Sequence, residues 1–144
     1  MISIQSILKR KGHSIYNVSP DATVYDALQA MADHNCGALV VFENGTAIGM
    51  LSERDYARKV ILMGKFSKDT PVRDIMTRNV ISVEVDASVE RCMSLMTERR
   101  VRHLVVRDGE RIAGVISIGD VVKAVIDDQK FTIEQLEHYI HGSA

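Results

Sequence analysis

Apolar positions along the chain follow two spacings, and the switch between them marks the elements. Val24, Ala27, Leu28 and Met31 fall on one helix face, with Thr23 as a candidate N-cap and Asp26 three residues on. The runs "ALVVF" and "AIGML" at Ala38–Phe42 and Ala47–Leu51 are β-rich, and Asn44-Gly45 between them is a hairpin signal. A second helix is predicted from about Ser52, its apolar face running through Val60 and Ile61.

The same pattern returns without a gap at a constant offset of 65 residues, which sets Asp55 over Asp120, Gly49 over Gly114 and Ser52 over Ser117. Val89, Cys92, Met93 and Met96 repeat the first helical stripe, Asp108-Gly109 takes the hairpin position, and Val121, Val122, Val125 and Ile126 form the face of the last helix. These stripes read as core. Each copy is therefore strand, helix, strand, strand, helix. The expected fold is α+β, two tandem β-α-β-β-α motifs packed with pseudo-twofold symmetry. A unit of about 50 residues has too little core alone, so the copies should pack together and leave a cleft of the kind small ligands use.

The expected boundaries are 1–69 for copy one (core about 15–61), 70–129 for copy two (core about 80–126), and 130–144 for a C-terminal helix. That helix is expected to start at a Thr132/Gln135 capping box and stop at Gly142, with Ile133, Leu136 and Ile140 as its apolar stripe.

Composition narrows the function. With 46% hydrophobic and 26% charged residues the chain is that of a packed globular protein, and a net charge of -1 provides no overall field toward nucleic acid or anionic lipid. Any phosphate site must be local. No apolar stretch reaches the roughly 20 residues of a membrane helix, and the basic residues of "MISIQSILKRKG" follow the apolar ones, the reverse of a secretory signal. A cytoplasmic location is expected. Cys36 and Cys92 fit no metal or redox spacing and read as packed thiols. His138 and His141 lack a third ligand.

The sharpest local signal is "GMLSERD" at Gly49–Asp55, repeated as "GVISIGD" at Gly114–Asp120. One reading is a capping box, Ser52 with Asp55 and Ser117 with Asp120, that only starts a helix. The other is a ligand site: a helix N-terminus offers amide donors to a phosphate, a carboxylate just inside can take both ribose hydroxyls, and the glycine lets a ligand approach the backbone.

The two copies, the repeated glycine-apolar-apolar-serine-x-x-aspartate signature and "VRDIMTRNVISV" at Val72–Val83 make the chain resemble the CBS domain family. The resemblance covers nearly the whole chain. It implies binding of adenosine-containing ligands such as AMP, ADP, ATP or NAD(H), with Asp55 and Asp120 on the ribose and Ser52 and Ser117 near ribose or phosphate. Arg54 stands in the first signature where the second, with Ile118 beside it, has Gly119. Adenine recognition would fall to backbone groups of the strand opening each copy, Ile15, Tyr16 and Val18 in one and Val80 and Ile81 in the other. The resemblance further implies that Arg102 and His103 serve the Asp55 site, leaving the Asp120 site less charged and suited to AMP or the adenosine half of a dinucleotide. Arg58 and Lys123, three residues after each aspartate, either reach a phosphate or pair with that aspartate. A homodimer and a separate effector protein are expected partners.

Rival readings lack their parts. No P-loop, dinucleotide-binding glycine motif or nucleophile elbow is present, so no catalysis is expected. Nucleic-acid binding has only Arg99, Arg100 and Arg102 in its favour. A dimerisation module without a physiological ligand is the alternative that the residues leave open.

Overall fold

The structure is a computed structural model that describes residues 2–12 and 15–141, so the expected stop at Gly142 lies outside the described residues. By packing, the chain forms two compact units, one of Met1–His13 with Ser82–Ala144 and one of Ser14–Ile81. The N-terminal helix α1 (Ile4–Lys11) joins the unit of copy two, and α4 (Val72–Ile75) stays with that of copy one.

The Ser14–Ile81 unit holds a three-stranded sheet in the order β1 (Asn17–Val18), β2 (Ala38–Glu43), β3 (Thr46–Ser52). β1 runs parallel to β2 and β3 antiparallel, with helix α2 (Val24–His34) between the first two strands. Thr23 caps α2 as expected, its hydroxyl accepting from Asp26 N at 3.1 Å. Val24, Ala27 and Met31 are buried against Leu39, Val41, Leu51 and Val60, and Val72, Ile75 and Met76 close the same core. α3 (Glu53–Tyr56) widens into a π-helical turn at Ala57–Ile61, where Leu62 N donates to Ala57 O.

The other unit repeats this plan with β4 (Ser82–Glu84), α5 (Val89–Arg99), β5 (His103–Asp108), β6 (Arg111–Ser117) and α6 (Ile118–His141). The bulge between Val41 and Phe42 recurs between Val106 and Arg107, so even this irregularity repeats at the 65-residue offset.

Four details differ from the expectations. The stripe of α5 buries Leu95 and leaves Met93 exposed, because Val89, Cys92, Leu95 and Met96 are the residues that share its core face. On the last helices Ile61, Val122 and Ile126 are exposed while Val60, Val121 and Ala124 are buried. The second hairpin turns on Gly109-Glu110, with Asp108 paired to Arg111 at the strand end and a positive φ only at Gly109. The first has positive φ at both Asn44 and Gly45, so the hairpins differ as type II′ and type I′ patterns do. Finally, no separate helix starts at Thr132: α6 runs unbroken for 24 residues, and the Thr132 hydroxyl donates back to Asp128 O at 3.1 Å.

Candidate functional site

Both signatures sit where an edge strand turns directly into a helix. In copy one, Asp55 N donates to Ser52 Oγ at 3.1 Å, and Asp55 Oδ2 accepts from Ser52 N and Ser52 Oγ, each at 3.0 Å. In copy two, Asp120 N donates to Ser117 Oγ at 3.2 Å, and Asp120 Oδ2 accepts from Ser117 N at 2.8 Å. The capping boxes are therefore formed, and they aim each carboxylate along the start of its helix.

The second cation or hydroxyl on each carboxylate differs. Asp55 Oδ1 takes Lys59 Nζ, one helical turn on, and Thr77 Oγ1, both at 3.2 Å. Asp120 Oδ2 takes Lys11 Nζ of α1 at 2.7 Å, and the same ammonium donates to Val115 O at 2.8 Å. Burial alone would raise the Asp120 carboxyl, but Lys11 and the Ser117 amide together hold it below the ordinary value. Each carboxylate therefore has one lysine partner, Lys59 from within its own helix and Lys11 from far away in sequence. Neither aspartate pairs with the residue three positions on: the ion pairs fall to Lys59 and Lys11, while Arg58 and Lys123 are exposed.

His103 opens β5 opposite Ser117 of its own copy. Its burial lowers the ring below the ordinary histidine value, Lys11 and Arg102 add to that, and Asp120 opposes it. Arg102 is exposed, and its carbonyl accepts from Ile118 N at 2.8 Å, as Gly37 O does from Glu53 N at 3.0 Å. Arg54 lies exposed on the first turn of α3. A Cβ at Gly119 would meet only Ser117 Oγ, at 3.6 Å, an ordinary contact, so the glycine is not required by a clash at that first atom.

The opening strands are shorter than expected. Ile15 and Tyr16 precede β1, and Val80 and Ile81 precede β4, so only Val18 of the named adenine-facing positions lies in a ladder. Tyr16 O nonetheless accepts from Val40 N at 3.1 Å, and the Tyr16 ring stacks on His34 at 4.0 Å between centroids.

The signature glycines serve a purpose the sequence reading missed. A Cβ on Gly49 would stand 2.8 Å from Thr77 O, and one on Gly114 would stand 2.7 Å from Leu8 Cδ2. The close neighbour is the protein's own segment ahead of a repeat, α4 with Thr77 in one unit and α1 in the other. Met50 and Thr77 exchange backbone bonds at 2.9 and 2.8 Å along that approach.

Among the described residues no three His, Cys, Asp or Glu side chains gather as a metal site, and no helix is long and apolar enough to cross a membrane. Burial pushes the Cys92 thiol up to about 11, which leaves it inert at neutral pH.

A repeated β-α-β-β-α motif, with a Ser-x-x-Asp station opening the last helix of each copy, defines a tandem-repeat module. Residues 5–61 and 72–127 both match the model of the CBS domain, and the chain belongs to that family. It is 42% identical over 149 residues to the mitochondrial CBS domain-containing protein CBSX3 of Arabidopsis thaliana, spanning 97% of this chain and 72% of that one. A CBS-domain protein from Burkholderia ambifaria is 48% identical with a TM-score of 0.85, covering 89% of this chain and 96% of the other. A CBS domain protein from Pyrobaculum aerophilum complexed with AMP superposes with a TM-score of 0.73 over 83% of this chain and 89% of that one, and at 22% identity it shows the shared fold. The same domain also forms a minor part of longer enzymes, such as an inosine-5'-monophosphate dehydrogenase from Methanocaldococcus jannaschii that is 32% identical over 76% of this chain, a match spanning 21% of the enzyme.

Proposed function

We propose that the chain is a regulatory module that binds adenine nucleotides, AMP, ATP or NAD(H), at its Ser-x-x-Asp stations and relays their level to a partner protein, catalysing no reaction itself. The observation that carries this reading is the pair of equivalent, half-buried carboxylates, each fixed by its serine at a helix start. Such a carboxylate can accept from two ribose hydroxyls while the helix start attracts phosphate. At the second station Gly119 lies in the first turn of α6, where amides have no acceptor within their own helix. The AMP held by the Pyrobaculum protein lends support at the level of fold.

The module would act as a homodimer. Residues 129–141 of α6 are all exposed, yet they carry Phe131, Ile133, Leu136 and Ile140, and an isolated helical half of that length is marginal in water. A second copy would cover this face. The competing reading, a dimerisation module without a ligand, draws on the capping boxes, which by themselves account for both Ser/Asp pairs.

Calorimetric titration of AMP, ATP, NAD and NADH into the protein, and into Asp55→Ala and Asp120→Ala, separates the two. Saturable binding that weakens about tenfold or more in either variant supports the nucleotide module. No binding at millimolar ligand overturns it in favour of the dimerisation module.

A further inference from the structure

We propose that Lys11 is a specificity-determining residue of the Asp120 station, selecting phosphorylated adenosine ligands over uncharged nucleosides. The inference rests on the reading of Asp120 as a ribose-binding carboxylate. Lys11 Nζ lies 2.7 Å from Asp120 Oδ2 and 2.8 Å from Val115 O, which places the ammonium at the junction of β6 with the start of α6. Lys11 is the cation of that junction, and the charges of Lys11 and Asp120 both reach the His103 ring.

The comparison with copy one shows that this placement is particular to copy two. Lys59 reaches Asp55 from one turn inside its own helix and also donates to Ile75 O at 3.0 Å. The residue at the Lys59 position of copy two is Ala124, and the cation comes instead from α1, whose Ile4 and Leu8 are fully buried. The lysine therefore approaches from the side of the helix start rather than from along the helix.

Its consequence follows from charge balance. Ribose hydroxyls bound to Asp120 compete with the ammonium for the carboxylate oxygens. An uncharged nucleoside leaves Lys11 with a weakened partner, whereas a phosphate offers it a new charge-assisted hydrogen bond. The long, half-exposed lysine side chain can swing from one to the other.

The test uses the full chain carrying Asp55→Asn, so that the Asp120 station is read alone, with AMP and adenosine as probes in calorimetry. The expected result is a preference for AMP of about tenfold or more, which falls to about threefold or less in Lys11→Met and returns in Lys11→Arg. Lys11→Met keeps the aliphatic stem, and far-ultraviolet circular dichroism verifies that α1 and the unit stay folded. A preference unchanged in Lys11→Met, with binding still lost on Asp120→Asn, overturns the role of Lys11 and leaves the nucleotide reading standing. Absence of binding by the Asp55→Asn protein where the parent chain binds, or binding indifferent to Asp120→Asn, overturns Asp120 as a nucleotide station and Lys11 with it, whereas absence of binding by the parent chain overturns the nucleotide reading as well.

Discussion

Copy one holds its signature aspartate with residues near it in sequence, while copy two borrows a lysine 109 residues away. The two copies share strand order, bulge position and capping box. What differs is the segment laid against each signature glycine. In copy one it is backbone, the Thr77 carbonyl, and in copy two it is the tip of a side chain, Leu8. Repetition thus conserves the frame of the station, and the segment ahead of one copy individualises the station of the other: α1 that of copy two, α4 with Thr77 that of copy one.

The largest expected effect follows from those glycines. Gly49→Ala drives a methyl to 2.8 Å from a backbone oxygen that also takes part in the Met50–Thr77 bridge, so urea unfolding should show a loss of about 2–3 kcal/mol. Gly114→Ala meets the end of a buried leucine side chain rather than backbone, and should cost less, about 1–2 kcal/mol. Equal losses would break the comparison.

The next prediction concerns acid. The Asp120 carboxyl titrates below its unfolded value of 3.8, so its contribution to stability is present above that pH and is lost as pH falls through the folded value. Asp120→Asn should therefore lose less stability than the parent protein between pH 5 and 3. His103 adds a second window: its ring, facing Lys11 of α1, Asp120 of α6 and Arg102, resists the proton that the unfolded chain accepts near pH 6.5. Stability should fall as pH drops from there, and His103→Gln should flatten the slope. A steeper slope in either variant would contradict the assigned signs.

The smallest effects come at the surface. Lys59→Met should cost about 0.5 kcal/mol, since its ion pair with Asp55 is a partly exposed one between neighbours on one helix. Gly119→Arg, which restores the arginine of copy one, should change stability by less than about 0.5 kcal/mol. It should also tighten ATP binding at the Asp120 station, as read by calorimetry. A large loss of stability would show that the glycine is required there.

Much of this was legible in the sequence because the relevant signals are local. Helical spacing in Val24–Met31, Asn44-Gly45 and the Ser-x-x-Asp boxes act within a few residues, and the 65-residue repeat presents each of them twice. Lys11 was not legible, because nothing in a lysine near the N-terminus encodes contact with an aspartate at 120. The protein neighbours of the glycines were not legible for a similar reason: close backbone approach is readable from Gly, but the approaching group is not. At Thr132 a capping signal lost to the continuing helix, where the hydroxyl finds an acceptor one turn back. Met93 and Leu95 show that a stripe of apolar residues leaves its exact core face to packing.

Whether both signatures bind nucleotide is decided by amide chemical-shift mapping of the full chain during AMP titration. Saturable shifts centred on Ser52–Asp55 and Ser117–Asp120 are expected, with Lys11 moving alongside the second. Shifts confined to other surfaces, or none at millimolar AMP, would contradict nucleotide binding at the signatures.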